Sequence, residues 1–497
     1  MGNFFTSSFF ASVSEWIKYH FYQKKFSTIL GLFLLVAWGI SIAYFTHEIN
    51  PHTIVFLLVI TGVIILRICL RYPLFGLYFT SVFSSFFALP GRFFSIQSPV
   101  GILVEVFTAV LWLAALRKSA QYRTNNYSFW SSQATAMLII LMLYYLLEFF
   151  NPAMNNKVGW FFFFRKQISY LLFYFIAFSV LSSYRKVKLF LTFWLALTLI
   201  IAVYGIKQQW IGLAAFEKSW LLSDPVLMKL YFQAGFLRKF SFITDPASFG
   251  VLCSCFGLFS LVLAVRTQKL KVKYLLYFSV VIFFVATAYS GTRTCIIMIG
   301  AGLVSYCIMT INEKRTYLLF SLATLALALL LVMPSGDSPV LNRLQSVLKG
   351  SKEASVSVRN TNRHMIQPYI RSHPFGGGIN TSGIEGQLYN AGHTLAGFPP
   401  DSGYMKILLE QGWIGLAIHL LFYFIILKDG INGFYNARMP AIKNIFIALT
   451  VSLFALIVGQ YAQISISQYP VILFYYAALA VFIKLNDFES KNQSEVE

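Results

Sequence analysis

The stretch Phe398–Leu416, FPPDSGYMKILLEQGWIGL, decides how the chain is read. Pro399 and Pro400 stop a preceding segment from running on as helix, because proline donates no hydrogen bond and clashes with the preceding turn. Asp401 and Ser402 are of the types that cap a helix start, a role worth about 1 kcal/mol. From Gly403 the chain turns apolar and stays so to about residue 427, enough to cross a hydrocarbon core of roughly 30 Å. Lys406 and Glu410 stand one helical turn apart, so they can pair on the bundle side rather than meet lipid. The stretch reads as a transmembrane helix whose first turns carry charge.

The rest of the chain repeats the apolar part of this pattern. Of 497 residues, 58% are hydrophobic and 11% charged, against about 25% charged in soluble domains; the mean hydropathy is +0.68. The expected fold class is an all-α polytopic membrane protein. About fourteen spans are expected, near 27–46, 52–70, 73–90, 98–116, 133–150, 167–184, 187–208, 246–265, 274–290, 294–311, 317–333, 402–427, 443–461 and 470–485.

The net charge of +21 invites a nucleic-acid partner, but its placement argues against one. The bases gather in alternate connections: Arg67 and Arg71, Arg117 to Arg123, Arg185 to Lys188, Arg266 to Lys273, Lys314 and Arg315, and Lys428 to Lys443. Connections 47–51 and 462–469 hold no Lys or Arg. This is the positive-inside pattern, and it places both termini on the cytoplasmic side. The first 25 residues lack a signal-peptide pattern and read as an amphipathic lead-in with Lys18, Lys24 and Lys25. The expected organisation is eleven spans within 1–333, including an outer loop at 209–245, then a long and largely helical outer loop at 334–401, then three spans and a short tail in 402–497.

The two long outer segments are basic against that trend. Arg238 and Lys239 end the first; Arg343, Arg359, Arg363 and Arg371 line the second; Arg293 starts a further span. Insertion does not explain bases on the translocated side, so they point to an anionic partner, with lipid headgroups or loop acids as the alternative. In the second segment, 339–350 and 357–372 read as helices, the latter interrupted at Pro368. HPFGGGIN, 373–380, allows close backbone approach, an anion-binding nest or a hinge. The five cysteines read as apolar packing residues without metal-ligand spacing. Asp-x-Asp is absent, so neither metal nor cofactor is expected. Glu105 and Glu148 lie within spans, where an acid faces the bundle with a role or packs against a nearby base.

Three motifs, RKFSFITDPASFG (Arg238–Gly250), AYSGTRT (288–294) and RNTNRHMIQPYIRSHPFGGG from Arg359, together with the opening stretch, resemble the O-antigen ligase and polymerase family over residues 235–425. The resemblance implies a helical bundle capped by a periplasmic loop in the bacterial inner membrane. It implies transfer of an oligosaccharide from a polyprenyl-pyrophosphate carrier to a sugar hydroxyl, on lipid A core in a ligase or on another carrier-linked repeat in a polymerase. Arg238, Arg293 and Arg359 match the family's arginines and are the expected pyrophosphate clamp, with Arg363 supplementary; guanidinium groups bind phosphate oxygens bidentately and stay charged. Where much of the family has His-Asn, Asp401-Ser402 stands. The base is then Asp401, unless it only caps, with His393 as rival and His373 third. The missing His-Asn makes polymerase the expected branch. A flippase or other carrier binding pyrophosphate without chemistry is the alternative from another class.

Overall fold

The computed structural model describes residues 51–94, 101–122, 127–233, 235–334, 341–342, 345 and 354–494. The chain divides into a unit Met1–Ile68 and a unit Cys69–Glu497. In the first, the described part is helical from Pro51. Everything below concerns the second.

Among the described residues, nine helices are long and apolar enough to cross a membrane, and Arg293–Met309 is a shorter apolar helix. Thirteen of the fourteen expected spans fall on described helices. The expected span 27–46, the bases ahead of it, Arg343 and most of the expected helix 339–350 lie outside the described residues. The span expected at 167–184 is the helix Val158–Val180. Arg165 and Lys166 do not end it, because the Arg165 guanidinium pairs with Glu105 on the helix Gly101–Tyr122. The ion pair answers the buried Glu105 carboxylate, the plainer of the two roles open to it.

Pro246–Arg266 forms the centre, with most of its length buried, and packs on Leu270–Tyr289, Arg293–Met309 and Pro440–Gly459. Its start is specified locally. Asp245 Oδ1 accepts from the backbone N–H groups of Ala247 (2.8 Å) and Ser248 (3.0 Å), and Pro246 occupies the first helical position. The long connections gather at one end of the bundle. The segment after Trp210 folds as the short helices Ala215–Leu222 and Pro225–Tyr231. A two-residue antiparallel strand pair follows, Phe232↔Leu237 and Gln233↔Phe236. The second long segment carries the helix Ala354–Ser372, which continues through Pro368, and a helix Gly383–Tyr389 not evident from the sequence.

The opening stretch starts the long helix Gly403–Asn436. Ser402, not Asp401, is its cap: the Ser402 hydroxyl accepts from Met405 N–H at 3.1 Å. The helix breaks at Gly412, with φ 65° and ψ −166°. The glycine run docks on that break. Gly377 N–H donates to Leu409 O at 2.8 Å, Gly378 N–H to Glu410 O at 2.9 Å, and Trp413 N–H to Pro374 O at 2.9 Å. A Cβ on Gly412 would overlap the Pro374 carbonyl, and one on Gly376 would strike the backbone of Glu410–Gly412. Of the three uses the sequence left open for the run, close backbone approach is the one adopted.

Gly412→Ala therefore meets both positive φ and the Pro374 carbonyl. We expect a loss of order 1–3 kcal/mol, seen as a lower unfolding temperature in detergent and faster tryptic cleavage at Arg371. Gly392→Ala, where a Cβ meets open space, is the control and leaves both unchanged.

Candidate active site

The two expected clamp arginines outside the long loop come together. A turn brings Arg238 N–H to Tyr231 O at 2.9 Å, and Lys239 N–H reaches Tyr289 O at 2.9 Å, so this segment lies on the turn that precedes Arg293–Met309. Arg238 Nε donates to Ser290 O at 3.0 Å and its Nη2 to Thr292 Oγ1 at 2.8 Å. Thr292 Oγ1 in turn reaches Pro246 O at 3.3 Å. Arg238 thus stands where the starts of two helices, Pro246–Arg266 and Arg293–Met309, meet. Burial pushes its guanidinium below its ordinary pKa, the Asp245 carboxylate opposes this, and the nearby positive charge of Arg293 adds to the depression. Two guanidinium groups and the uncapped start of Arg293–Met309, against one carboxylate that is engaged in capping Pro246–Arg266, make a place suited to an anion.

Arg92, unremarked in the sequence, holds this segment. Its guanidinium donates to the carbonyls of Ser241 (2.7 Å), Ile243 and Thr244 (3.3 Å), and lies 4.5 Å from the Phe240 ring centroid. Nothing local to Arg92 signals this, because its partners lie about 150 residues away.

The histidines form a second group on other elements. The His373 ring stacks on Tyr369, centroids 4.0 Å apart, and Tyr369 meets the His393 ring edge-on at 6.4 Å. Their ring nitrogens have different partners. His373 Nδ1 lies 3.0 Å from Tyr369 O and 2.9 Å from the Ser372 hydroxyl, so it can donate to the carbonyl or accept from the hydroxyl. His393 Nδ1 accepts from Leu395 N–H at 3.1 Å, so the neutral ring carries its proton on Nε2. Burial, with His373 nearby, holds the His393 pKa below the ordinary imidazole value.

Arg363 is engaged on the 460–470 connection, donating to Tyr461 OH at 3.0 Å and Tyr461 O at 3.2 Å. It straps the helix Ala354–Ser372 to that connection. Arg359 lies one turn earlier on the same helix, and its side chain lies outside the described residues. Asp401 is half-buried, and its carboxylate makes no hydrogen bond among the described residues.

Below Ser402, the Lys406 ammonium lies 3.6 Å from Glu385 and 4.0 Å from Glu410. The expected Lys406–Glu410 pair is present, joined by a carboxylate from the loop that sequence distance concealed. Glu410, 1% exposed, also accepts from the Ser382 hydroxyl at 2.6 Å. Glu148 is likewise buried and accepts from Asn151 Nδ2 at 2.9 Å.

A depressed His393 pKa has a pH consequence. The unfolded chain binds the proton from about pH 6.5 downward, and the folded chain only at lower pH, so His393 makes stability fall as pH drops below that value. We expect the unfolding temperature to decline on acidification below about pH 6.5, and His393→Asn to flatten that part of the curve; an unchanged curve would refute it.

No curated protein matches the chain. Residues 278–420 match the family model described as O-antigen ligase, a segment that contains Arg293, the histidine pair, Asp401 and the Glu410–Gly412 break. Over this segment the chain is similar to the O-antigen ligase family, and with a helical membrane bundle around it the match supports the resemblance to that family of glycosyltransferase-type membrane enzymes.

Proposed function

We propose that the chain transfers oligosaccharide repeat units from a polyprenyl-pyrophosphate carrier to a sugar hydroxyl, at the periplasmic face of a bacterial inner membrane, with both termini cytoplasmic. The observation that carries this is the meeting of Arg238 and Arg293 at two helix starts. In the step, the acceptor oxygen attacks the anomeric carbon while the bond from that carbon to the phosphate oxygen breaks. The bonding electron pair leaves with the phosphate, and the acceptor proton passes to a base. Negative charge grows on the departing pyrophosphate, where fixed guanidinium groups stabilise it most in a partly dewatered site. These groups do the work that a metal would otherwise do. Arg359 completes the proposed clamp; Arg363, spent on Tyr461, supports the loop instead.

Asp401 is the proposed base. Ser402 takes over capping, which leaves the Asp401 carboxylate unengaged by described residues at the head of the span. His393 and then His373 are the alternatives to Asp401. Asp-Ser in place of His-Asn supports the polymerase branch over the ligase.

In a transfer assay, Asp401→Ala should lower kcat by about 10²–10⁴-fold, while His393→Ala stays within a few-fold. Arg238→Lys should also lose most activity, since an ammonium cannot reproduce the bidentate fork; unfolding temperatures check that each variant is folded. Full activity in Asp401→Ala would remove it as base. A deletion strain should display core carrying a single repeat. Polymer held on the carrier with bare core would mean ligase instead, and repeats trapped on the cytoplasmic face would sink both branches in favour of a flippase.

A further inference from the structure

Beneath the 380–410 segment lies a cavity of about 510 Å³, walled by the helices Gly101–Tyr122, Val158–Val180, Gly403–Asn436 and Val471–Ser494 and roofed by the 460–469 connection. None of its lining residues comes from the elements that carry Arg238 and Arg293. Its volume falls in the range of small-molecule sites, roughly 300–1,000 Å³.

The chemistry of its walls narrows the occupant. Residues that line it carry buried polar atoms with no hydrogen-bond partner among the described residues: Gln411 Oε1, Gln468 Oε1, Tyr469 OH and Tyr475 OH. Gln411 is 3% exposed and Tyr475 2% exposed. A buried polar atom left so costs about 1–3 kcal/mol unless a polar partner arrives. An apolar chain would leave them all unmet, so the occupant carries hydroxyl or amide groups. The charges in the walls are mostly answered within them: Glu105 pairs with Arg165, and Lys406 lies between Glu385 and Glu410. Pyrophosphate would have to break those pairs. Tyrosine rings from four directions, at 145, 170, 423 and 476, offer flat apolar faces beside the polar atoms, the combination that suits the C–H and O–H edges of sugar rings.

We infer that this cavity binds the saccharide of the acceptor, as a second substrate site separate from the arginine clamp. The inference rests on the proposed transfer reaction, in which the clamp takes the carrier pyrophosphate and the attacking sugar needs its own seat. Gln411, Gln468 and Tyr475 are its specificity-determining contacts. Gln411 directly precedes the Gly412 break, so the dock of the glycine run also fixes the position of its side chain.

The test uses the full chain in lipid nanodiscs and two probes: the carrier-free repeat oligosaccharide released by mild acid from lipid of a deletion strain, and undecaprenyl pyrophosphate. Tyr475→Phe removes only an unpartnered hydroxyl, so its unfolding temperature should hold or rise; a fall would assign the hydroxyl a structural role and overturn the inference. With Gln411→Leu it should weaken oligosaccharide binding, read by saturation-transfer NMR, about tenfold or more, and leave undecaprenyl pyrophosphate binding unchanged. Arg238→Ala should do the reverse. Equal oligosaccharide binding in wild type and double variant overturns the inference, as does loss of undecaprenyl pyrophosphate binding in the double variant. If the wild type makes no transfer product yet binds the oligosaccharide through these residues, the transfer reaction fails and the pocket stands.

Discussion

A helix that breaks inside a membrane protein exposes backbone groups that lipid cannot satisfy, and the break at Gly412 is where this molecule resolves that problem. The carbonyls of Leu409 and Glu410 are taken by the N–H groups of Gly377 and Gly378, and Trp413 N–H by Pro374 O. Tyr144 adds its hydroxyl to Gln411 O at 2.6 Å. Backbone-to-backbone contact at this distance tolerates no side chains, which is why three glycines meet a fourth. The loop is thereby stitched to the bundle by main-chain bonds, and the residues around the stitch inherit their positions from it: Glu410 toward Ser382, Lys406 toward Glu385, His373 one residue before Pro374.

The span pattern was legible because hydropathy is a property of runs. It survives errors of a few residues, and even the span misjudged at 167–184 was displaced rather than absent. The helix start at Asp245-Pro246 is of the same readable kind, because an Asp caps the residues that directly follow it. So is the Lys406–Glu410 pair, whose spacing needs only the helix repeat. The same locality explains what could not be read. The use of the glycine run depended on a partner some thirty residues later. Glu385 and Ser382 reach Lys406 and Glu410 across a loop of unspecified path. Arg92 answers carbonyls about 150 residues away.

The candidate residues divided along the same line. Arg238 and Arg293 were grouped by the family resemblance, and the bundle sets them at adjoining helix starts. The order of His393 before His373 had no geometry behind it, because the neighbours of their ring nitrogens, Leu395 N–H for one and Tyr369 O with the Ser372 hydroxyl for the other, are set by the fold of the loop. Arg363, basic and helical like Arg359, turned out to be occupied by Tyr461. Asp401 lost the capping role to the adjacent serine, and that transfer is what frees it.

The grip of Arg92 on the carbonyls of Ser241, Ile243 and Thr244 has a kinetic side. Arg238 rides on that segment, and its own bonds to Ser290 and Thr292 orient it before any ligand arrives. An anion reaching this place finds a guanidinium with little rotational freedom left to lose, so the entropic cost of capture is met during folding rather than at each encounter. In the proposed transfer, the pace would then lie with how readily the spent carrier escapes, not with how the cation gathers itself around the next one.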